Sequence, residues 1–397
     1  MELSTLTSPQ QEMQYRELAR HAFNFPDDVW PQIVDWIERQ NLRVLVDGET
    51  VLGGLAVYDM GQWFGGRRLP MAGYALVATD ATRRGQGVAA TMMGKSLCEL
   101  ATRFPIAALY ASTQVLYRKV GFEQAGSANR YAAPLPSIGP MRQGPMRQGE
   151  LARVDPDDHE LFRGLHQQFA VNNNGCLDRT AGMWARLTRG LPHPCQAYLH
   201  RDNGVSTGYL LFDERPTQSP AWPRHSKQSE LYVRDLVALT PSAYTSLLGL
   251  LAGHRSLTDV FSWGGPQADP WLLRCAENQA LVVKQERWML RILDVGEALR
   301  MRGYASGDGE LHLRITDELI ERNNAAYVLS VEDGVGVVRA GGQETVQLDI
   351  GALASLFSGY ASAETLASLG RCRGDAAAIA TASRLFRGDE PWMIDHF

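Results

Sequence analysis

The stretch VATDATRRGQGVAATM, residues 77–92, constrains the fold more than any other part of the chain. An extended segment runs into a turn with two glycines, and an alanine- and methionine-rich helix follows. Within it, Arg84-Gly85-Gln86-Gly87-Val88-Ala89 leaves backbone N–H groups at a helix N-terminus unblocked by side chains. Those donors and the helix dipole suit a pyrophosphate. Arg83 and Arg84 can add charge-assisted bonds. A glycine pattern of this kind also occurs in plain tight connections, so its surroundings decide its meaning.

The surroundings read as α/β. Residues 9–23 carry apolar positions at helical spacing behind Ser8 and Pro9, and a second short helix follows at 28–39. Residues 42–64 alternate around a DG turn and predict a hairpin, and 67–80 predict another strand. After the glycine loop and its helix, IAALYAS is a short strand, and QVLYRKVGFEQAG opens a helix that breaks at Gly121. The sequence PLPSIGPMRQGPMRQGE repeats GPMRQ in tandem, which marks a linker or exposed loop. The next segment repeats the mixed pattern without a glycine-rich phosphate loop. The last one has short strands followed by helices, the order of a small α+β domain. These readings give an N-terminal domain at 1–134, a linker at 135–149, a second domain at 150–288 and a third at 289–397.

Two signatures stand in order in the first domain. The Arg-x-x-Gly-x-Ala type loop comes first, and Leu116-Tyr117-Arg118-Lys119-Val120-Gly121-Phe122 follows one βα unit later. Here the chain resembles the GNAT superfamily of acetyl-CoA-dependent acetyltransferases. The resemblance implies that Val77, Ala78 and Thr79 form a splayed strand offering a backbone N–H to a thioester carbonyl. It implies that Arg83, Arg84, Gly85, Gln86, Gly87, Val88 and Ala89 hold the CoA pyrophosphate. Ser112, in ASTQVLY, is placed beside the pantetheine arm. Tyr117 is placed as the acid that protonates the departing thiolate. The other reading of Tyr117 is a helix-start aromatic packed on the sheet.

The three-domain plan resembles a narrower group, the Eis (enhanced intracellular survival) type acetyltransferases. That group has a GNAT domain, a degenerate second GNAT-like domain and a sterol-carrier-like α+β domain. The resemblance covers nearly the whole chain, with local matches at VATDATRRG, ASTQVLYRKVGF and the aromatic end DEPWMIDHF. Thr79 stands where the Eis-type loop has proline. In that family the chain end threads into the first domain and its carboxylate serves as general base. Here that role falls to Phe397, which fits the absence of a carboxylate between Pro70 and Thr79. An α-carboxyl group, with a pKa of about 3.5, is a weak base unless burial raises it. Asp395 is the alternative carboxylate, and a merely docked tail is the bland one. The resemblance also implies a hexameric homo-oligomer.

The acceptor side is less defined. Phe25, Asp27, Trp30 and Trp36 combine aromatic rings with a carboxylate, which suits a cationic amine. The same residues suit amphipathic helices that pack their Phe and Trp into a core, the stronger reading for any single one of them. The amine is then an aminoglycoside, a polyamine or a lysine side chain. An acyl-CoA or lipid-binding sensor without turnover is the competing function. Composition narrows the rest. A net charge of −5 and no basic block speak against nucleic acid. Five well-separated cysteines, with no CxxC pair, predict neither a zinc site nor a disulfide framework and suit a reducing cytoplasm. No metal is expected. MELSTLTSPQQEMQYREL lacks the basic and apolar regions of a leader, and no stretch is long enough to span a bilayer.

Overall fold

The computed structural model describes residues 1–397 apart from 139–148, 191, 217–228, 274, 276, 278 and 305–306. The GPMRQ repeat lies outside the described residues. The first third of the chain forms β1 (Glu2–Thr5), α1 (Pro9–Phe23), α2 (Trp30–Ile37), β2 (Leu42–Asp47), β3 (Thr50–Phe64) and β4 (Arg67–Thr79). It continues with α3 (Val88–Leu100), β5 (Ile106–Tyr110), α4 (Gln114–Arg118) and β6 (Glu123–Pro134). The middle forms β7 (Glu150–Val154), α5 (Glu160–Ala170), β8 (Leu177–Asp178), α6 (Ala181–Arg189), β9 (Gln196–Asp202) and β10 (Val205–Pro216). It ends with β11 (Ser229–Ala238), α7 (Pro241–Gly253), β12 (Val260–Gly265) and β13 (Leu281–Ile292). β9 and β10 form a hairpin, because Asn203 and Gly204 take the positive φ of a tight turn.

These two parts share one sheet, ordered β1-β2-β3-β4-β5-β13-β6-β12-β11-β10-β9-β7, with β8 on the side of β3. Each half repeats one plan. In the first, β4 runs parallel to β5; in the second, β11 runs parallel to β12. The halves exchange their last strands. β6 follows β5 in the chain but pairs with β12, and β13 follows β12 but pairs with β5. β6 and β13 then pair with each other. The expected boundary between residues 288 and 289 falls inside β13, which therefore belongs to the sheet in full.

The final part forms α8 (Val295–Met301), β14 (Gly309–Thr316), β15 (Ala326–Glu332), β16 (Val335–Ala340), β17 (Val346–Asp349), α9 (Ile350–Ser358), α10 (Ala363–Ser368), β18 (Cys372–Gly374) and α11 (Ala376–Phe386). Its sheet runs β16-β15-β14-β17-β18. Every residue of α9 is buried, because α9 packs against its own sheet and also against β6 and β13. An ion pair in which Nη2 of buried Arg291 on β13 donates to both carboxylate oxygens of Asp317, at 2.8 Å, fixes the two sheets to each other. No described helix is long and apolar enough to cross a membrane.

Candidate active site

The site begins at a defect in β4. Its residues 71–74 pair in parallel with residues 106–109 of β5, and beyond Tyr74 the two strands part. At the parting the register with β3 slips between Gly54 and Ala56, which leaves Leu76 and Val77 bulged. Leu76 has a φ of 50°, a conformation that a branched aliphatic residue seldom takes. Something must hold it, and Tyr15 does. Its side chain, fully buried under α1, donates a 2.8 Å hydrogen bond to the Leu76 carbonyl. Gly54 makes room for that ring, since a Cβ there would stand 2.4 Å from it. The carbonyl of Leu76 is thus turned toward Tyr15, and the strand that continues through Val77, Ala78 and Thr79 borders the open side of the split.

The loop after β4 starts with Asp80, whose carboxylate accepts from the Thr82 N–H at 2.8 Å. Arg83, Arg84, Gly85, Gln86 and Gly87 are all exposed. Gly85 and Gly87 have φ of 81° and 78°, and a Cβ on either would meet nothing within 4 Å. Gly87 caps α3 and supplies no side-chain acceptor. The first-turn N–H groups, from Val88 and Ala89 onward, therefore have no acceptor within the helix. Such a cradle fits the diphosphate of a CoA ester. Ser112 is exposed, two residues beyond the end of β5.

Tyr117 lies on α4, buried in the cluster formed by Val88, Met92, Leu97 and Phe122 between α3 and the sheet. Its ring meets Phe122 edge-on at 6.0 Å. Burial pushes its hydroxyl up to about 12, so it holds its proton at neutral pH and is available as a donor. Gly121, with φ 87°, turns the chain sharply from α4 into β6.

The chain end reaches the opposite face of the same strands. Ser127 on β6 bridges to Trp392: its N–H donates to the Pro391 carbonyl at 3.1 Å, and its carbonyl accepts from Met393 N–H at 3.2 Å. Trp392 N–H donates to the Asn174 carbonyl at 2.9 Å. Glycines clear the track, because a Cβ at Gly126 would stand 2.5 Å from the Pro391 carbonyl and one at Gly264 would stand 2.4 Å from Ile394. Trp392, Met393 and Phe397 are 9%, 0% and 7% exposed. At roughly 1.5–3 kcal/mol for each buried large apolar side chain, this tail is docked firmly rather than frayed. Asp395 joins a buried network in which Arg179 binds both Asp395, at 2.8 Å, and Asp235. Tyr209 donates to Asp235 at 2.6 Å. His396 stacks on Tyr110 at 4.4 Å. The Phe397 ring sits edge-on to Tyr58 and Tyr110, at 6.1 and 6.0 Å, over Gly73 of β4. Tyr117 and Phe397 thus belong to the two opposite faces of the sheet, on either side of the β4–β5 split.

The proposed acceptor residues scatter more. Trp30 is 4% exposed, edge-on to Tyr15, and its indole N–H is taken by Glu12 at 3.1 Å. It is a core residue. Phe25 stacks on Trp30, and Asp27 is exposed and paired with Arg16 at 3.1 Å. Trp36 is half-buried where α2 meets α6, with its ring near Gly190. Sequence reading missed Tyr15, Tyr58, Tyr110, Arg179 and Arg186. Nothing in the local sequence marks any of them, and only tertiary contacts give each a role. Among the described residues, no group of three or more His, Cys, Asp or Glu is placed to hold a metal ion.

With this geometry in hand, comparison with known proteins is informative. The acetyltransferase (GNAT) domain family matches residues 5–125 and again 175–292, and the sterol carrier protein domain family matches 295–394. A GCN5-related N-acetyltransferase structure from Anabaena variabilis aligns over 100% of both chains, with 34% identity and a TM-score of 0.93. The chain belongs to the GNAT N-acetyltransferases of the Eis type. The N-acetyltransferase Eis of Mycobacterium tuberculosis is 25% identical over 91% of this chain and 84% of its own. Eis1 from Mycobacterium abscessus shares the fold, with a TM-score of 0.82 at 23% identity over 100% of both chains. The protein is therefore an N-acetyltransferase with two GNAT domains and a sterol-carrier-type domain. GNAT domains use acetyl-CoA as co-substrate.

Proposed function

We propose that this enzyme moves an acetyl group from acetyl-CoA directly to a primary amine, in a ternary complex. What supports this reading is that Tyr117 and the final residue lie on opposite faces of the sheet whose strands β4 and β5 part beyond Tyr74. Val77, Ala78 and Thr79 would lie along the pantetheine arm with Ser112, and Arg83, Arg84, Gly85, Gln86, Gly87, Val88 and Ala89 would hold the diphosphate. The amine nitrogen attacks the thioester carbonyl carbon, a C–N bond forms and the C–S bond breaks. The amine's proton passes to the Phe397 carboxylate, directly or through water. The sulfur leaves with the proton of the Tyr117 hydroxyl. Asp395 is poorly suited as base, because Arg179 already engages its carboxylate in a buried pair. Phe25, Asp27 and Trp36 remain acceptor-side candidates, with the aminoglycoside, polyamine and lysine-like amines as classes to try. Trp30 would act there only as support. A cytoplasmic homo-oligomer, a hexamer, completes the reading, and sedimentation velocity tests that part.

The deciding experiment follows CoA-thiol release from acetyl-CoA over a panel of amines, with and without a few residues appended after Phe397. Turnover lost in the extended protein, with acetyl-CoA binding kept, supports the terminal carboxylate at the reacting amine. Equal turnover removes Phe397 from the mechanism. Tight acetyl-CoA binding with no turnover on any amine overturns direct transfer.

A further inference from the structure

A cavity of about 200 Å³ lies beside the chain end, where α6 faces β6 and β11. Its walls include Arg130, Arg186, Arg234, Tyr232, Asp395 and His396. The charges there do not cancel. Arg234 is fully engaged: it donates to Asp213 at 2.7 Å and to the carbonyls of Leu187 and Thr188 at 2.9 and 2.8 Å. Asp395 is paired from behind with Arg179, which it shares with Asp235. On the rim, Glu286 is paired with Lys284 at 2.7 Å and stands 3.7 Å from His396. Two guanidinium groups are left over. Arg130 donates to the Val233 carbonyl at 2.7 Å and lies 3.8 Å above the Tyr232 ring. Arg186 is near enough to the Tyr58 hydroxyl to offset part of the rise that burial causes there. Among the described residues neither has a carboxylate within ion-pair distance.

This cavity adjoins the proposed reaction site. Tyr58, the neighbour of Arg186, is the ring that packs edge-on to Phe397, and His396 forms part of the wall. An acceptor reaching the last residue with its amine has this cavity for its remainder. A polycation would set a second ammonium against two uncompensated guanidinium groups. An oxyanion would instead receive charge-assisted bonds from arginine's planar fork. We propose that the acceptor carries an oxyanion, carboxylate or phosphate, close to its reactive amine, and that Arg186 together with Arg130 binds it. This rests on the acetyltransfer reading and narrows its amine classes.

The test measures kcat/KM for matched amines: γ-aminobutyrate against its methyl ester, and phosphoethanolamine against ethanolamine. Spermine is the polycationic control. The wild type should favour the oxyanion member of at least one pair by about tenfold or more. The pair that responds tells carboxylate from phosphate. Arg186→Gln should bring that ratio near one, and Arg186→Lys should restore part of it. A wild-type ratio at or below one, an unchanged ratio in Arg186→Gln, or a preference for spermine over both anionic amines overturns the proposal. Calorimetric titration of the same amines keeps the two readings apart. If no amine is turned over, direct acetyltransfer fails by itself. The oxyanion site then stands on an Arg186-dependent affinity difference within a pair, and equal affinities overturn it.

Discussion

β4 and β11 hold matching places in the two halves of the continuous sheet. Each runs parallel to its neighbour for a few residues, through Tyr74 in one and Tyr232 in the other, and then departs. Each is bulged just after, at Leu76–Val77 and at Arg234. In the first half the bulge is held from the side by Tyr15, and the helix beyond opens on glycines. In the second half the bulge itself is tied down by side chains, and the cavity beside the chain end lies on its α6 side. Arg234 is tied to Asp213 and two carbonyls, and Asp235 is tied to Arg179 and Tyr209. Trp263 stacks on Trp271 at 5.5 Å, and Trp392 and Ile394 of the tail line the same region. The helix beyond starts on Thr240, whose hydroxyl accepts from Ala243 N–H, with Pro241 at its first position. One topology thus yields an open glycine loop or a tied-down joint, depending on whether polar backbone is left open or covered.

The strongest way to break the contrast is to unseal the second half. Arg179→Met leaves Asp235 and Asp395 buried without their cation. Losing one partner of a buried ion pair costs about 3–5 kcal/mol. We expect a fall of that size in urea unfolding, together with loss of acetyltransfer as the tail is released. Adding Asp235→Leu removes one stranded charge and should recover part of the stability. No loss in Arg179→Met would mean that the network does not hold the tail.

Asp269 gives the sealed half a pH signature. It is 5% exposed in the aromatic region around Trp271, and burial raises its carboxyl from the usual 3.8 to about 7. Between those values the folded protein keeps a proton that the unfolded chain has lost. Stability from this group therefore declines as pH rises from about 4 to about 7 and is level above that. The span corresponds to a few kcal/mol, roughly 1.4 for each pH unit. Asp269→Asn should flatten the decline and raise the melting temperature at pH 8, and an unaltered profile counts against it.

Two buried tyrosines sharpen the comparison further. Tyr117→Phe in the open half should lower kcat about 100-fold, close to 2.7 kcal/mol of barrier, with acetyl-CoA affinity kept. Tyr209→Phe in the sealed half removes a hydrogen bond to a charged carboxylate. It should cost about 1.5–3 kcal/mol of stability and leave kcat within about twofold. Stopped assays and melting curves on both variants would show whether chemistry and sealing are divided in this way. A similar kcat loss in both would erase the division.

Much of the open half was legible, because its signals are local. The glycine loop, the strand before it and the short helix carrying Tyr117 each lie within a few residues. The α+β make-up of the last domain was equally legible from strands followed by helices, and its sterol-carrier type came from the resemblance to the Eis-type enzymes. The exchange of β6 and β13 was not, since either strand could satisfy either neighbour and only the assembled sheet decides. The pairing of Arg179 with Asp395 spans 216 residues, and nothing local distinguishes either one from a surface charge. Trp30 shows the limit of aromatic patterns, because a helix that lines a pocket and one that packs on Tyr15 look alike in sequence.

The smallest expected effects bear most directly on how the two helices start. Gly87 holds a left-handed φ at the head of α3, where any side chain is strained by about 1–2 kcal/mol. A Cβ there has open space around it, so Gly87→Ala acts on the backbone rather than by collision. Relieving the strain would turn the loop's N–H groups away from the proposed diphosphate position. We expect acetyl-CoA affinity to weaken about tenfold in calorimetry, with a modest loss of stability. Thr240→Ala at the head of α7 removes a capping bond instead. It should cost about 1 kcal/mol of stability and leave acetyl-CoA affinity where it was. If Thr240→Ala weakens acetyl-CoA as much as Gly87→Ala does, the second helix start also takes part in binding. The sealed half would then need to be read as a second, occluded site.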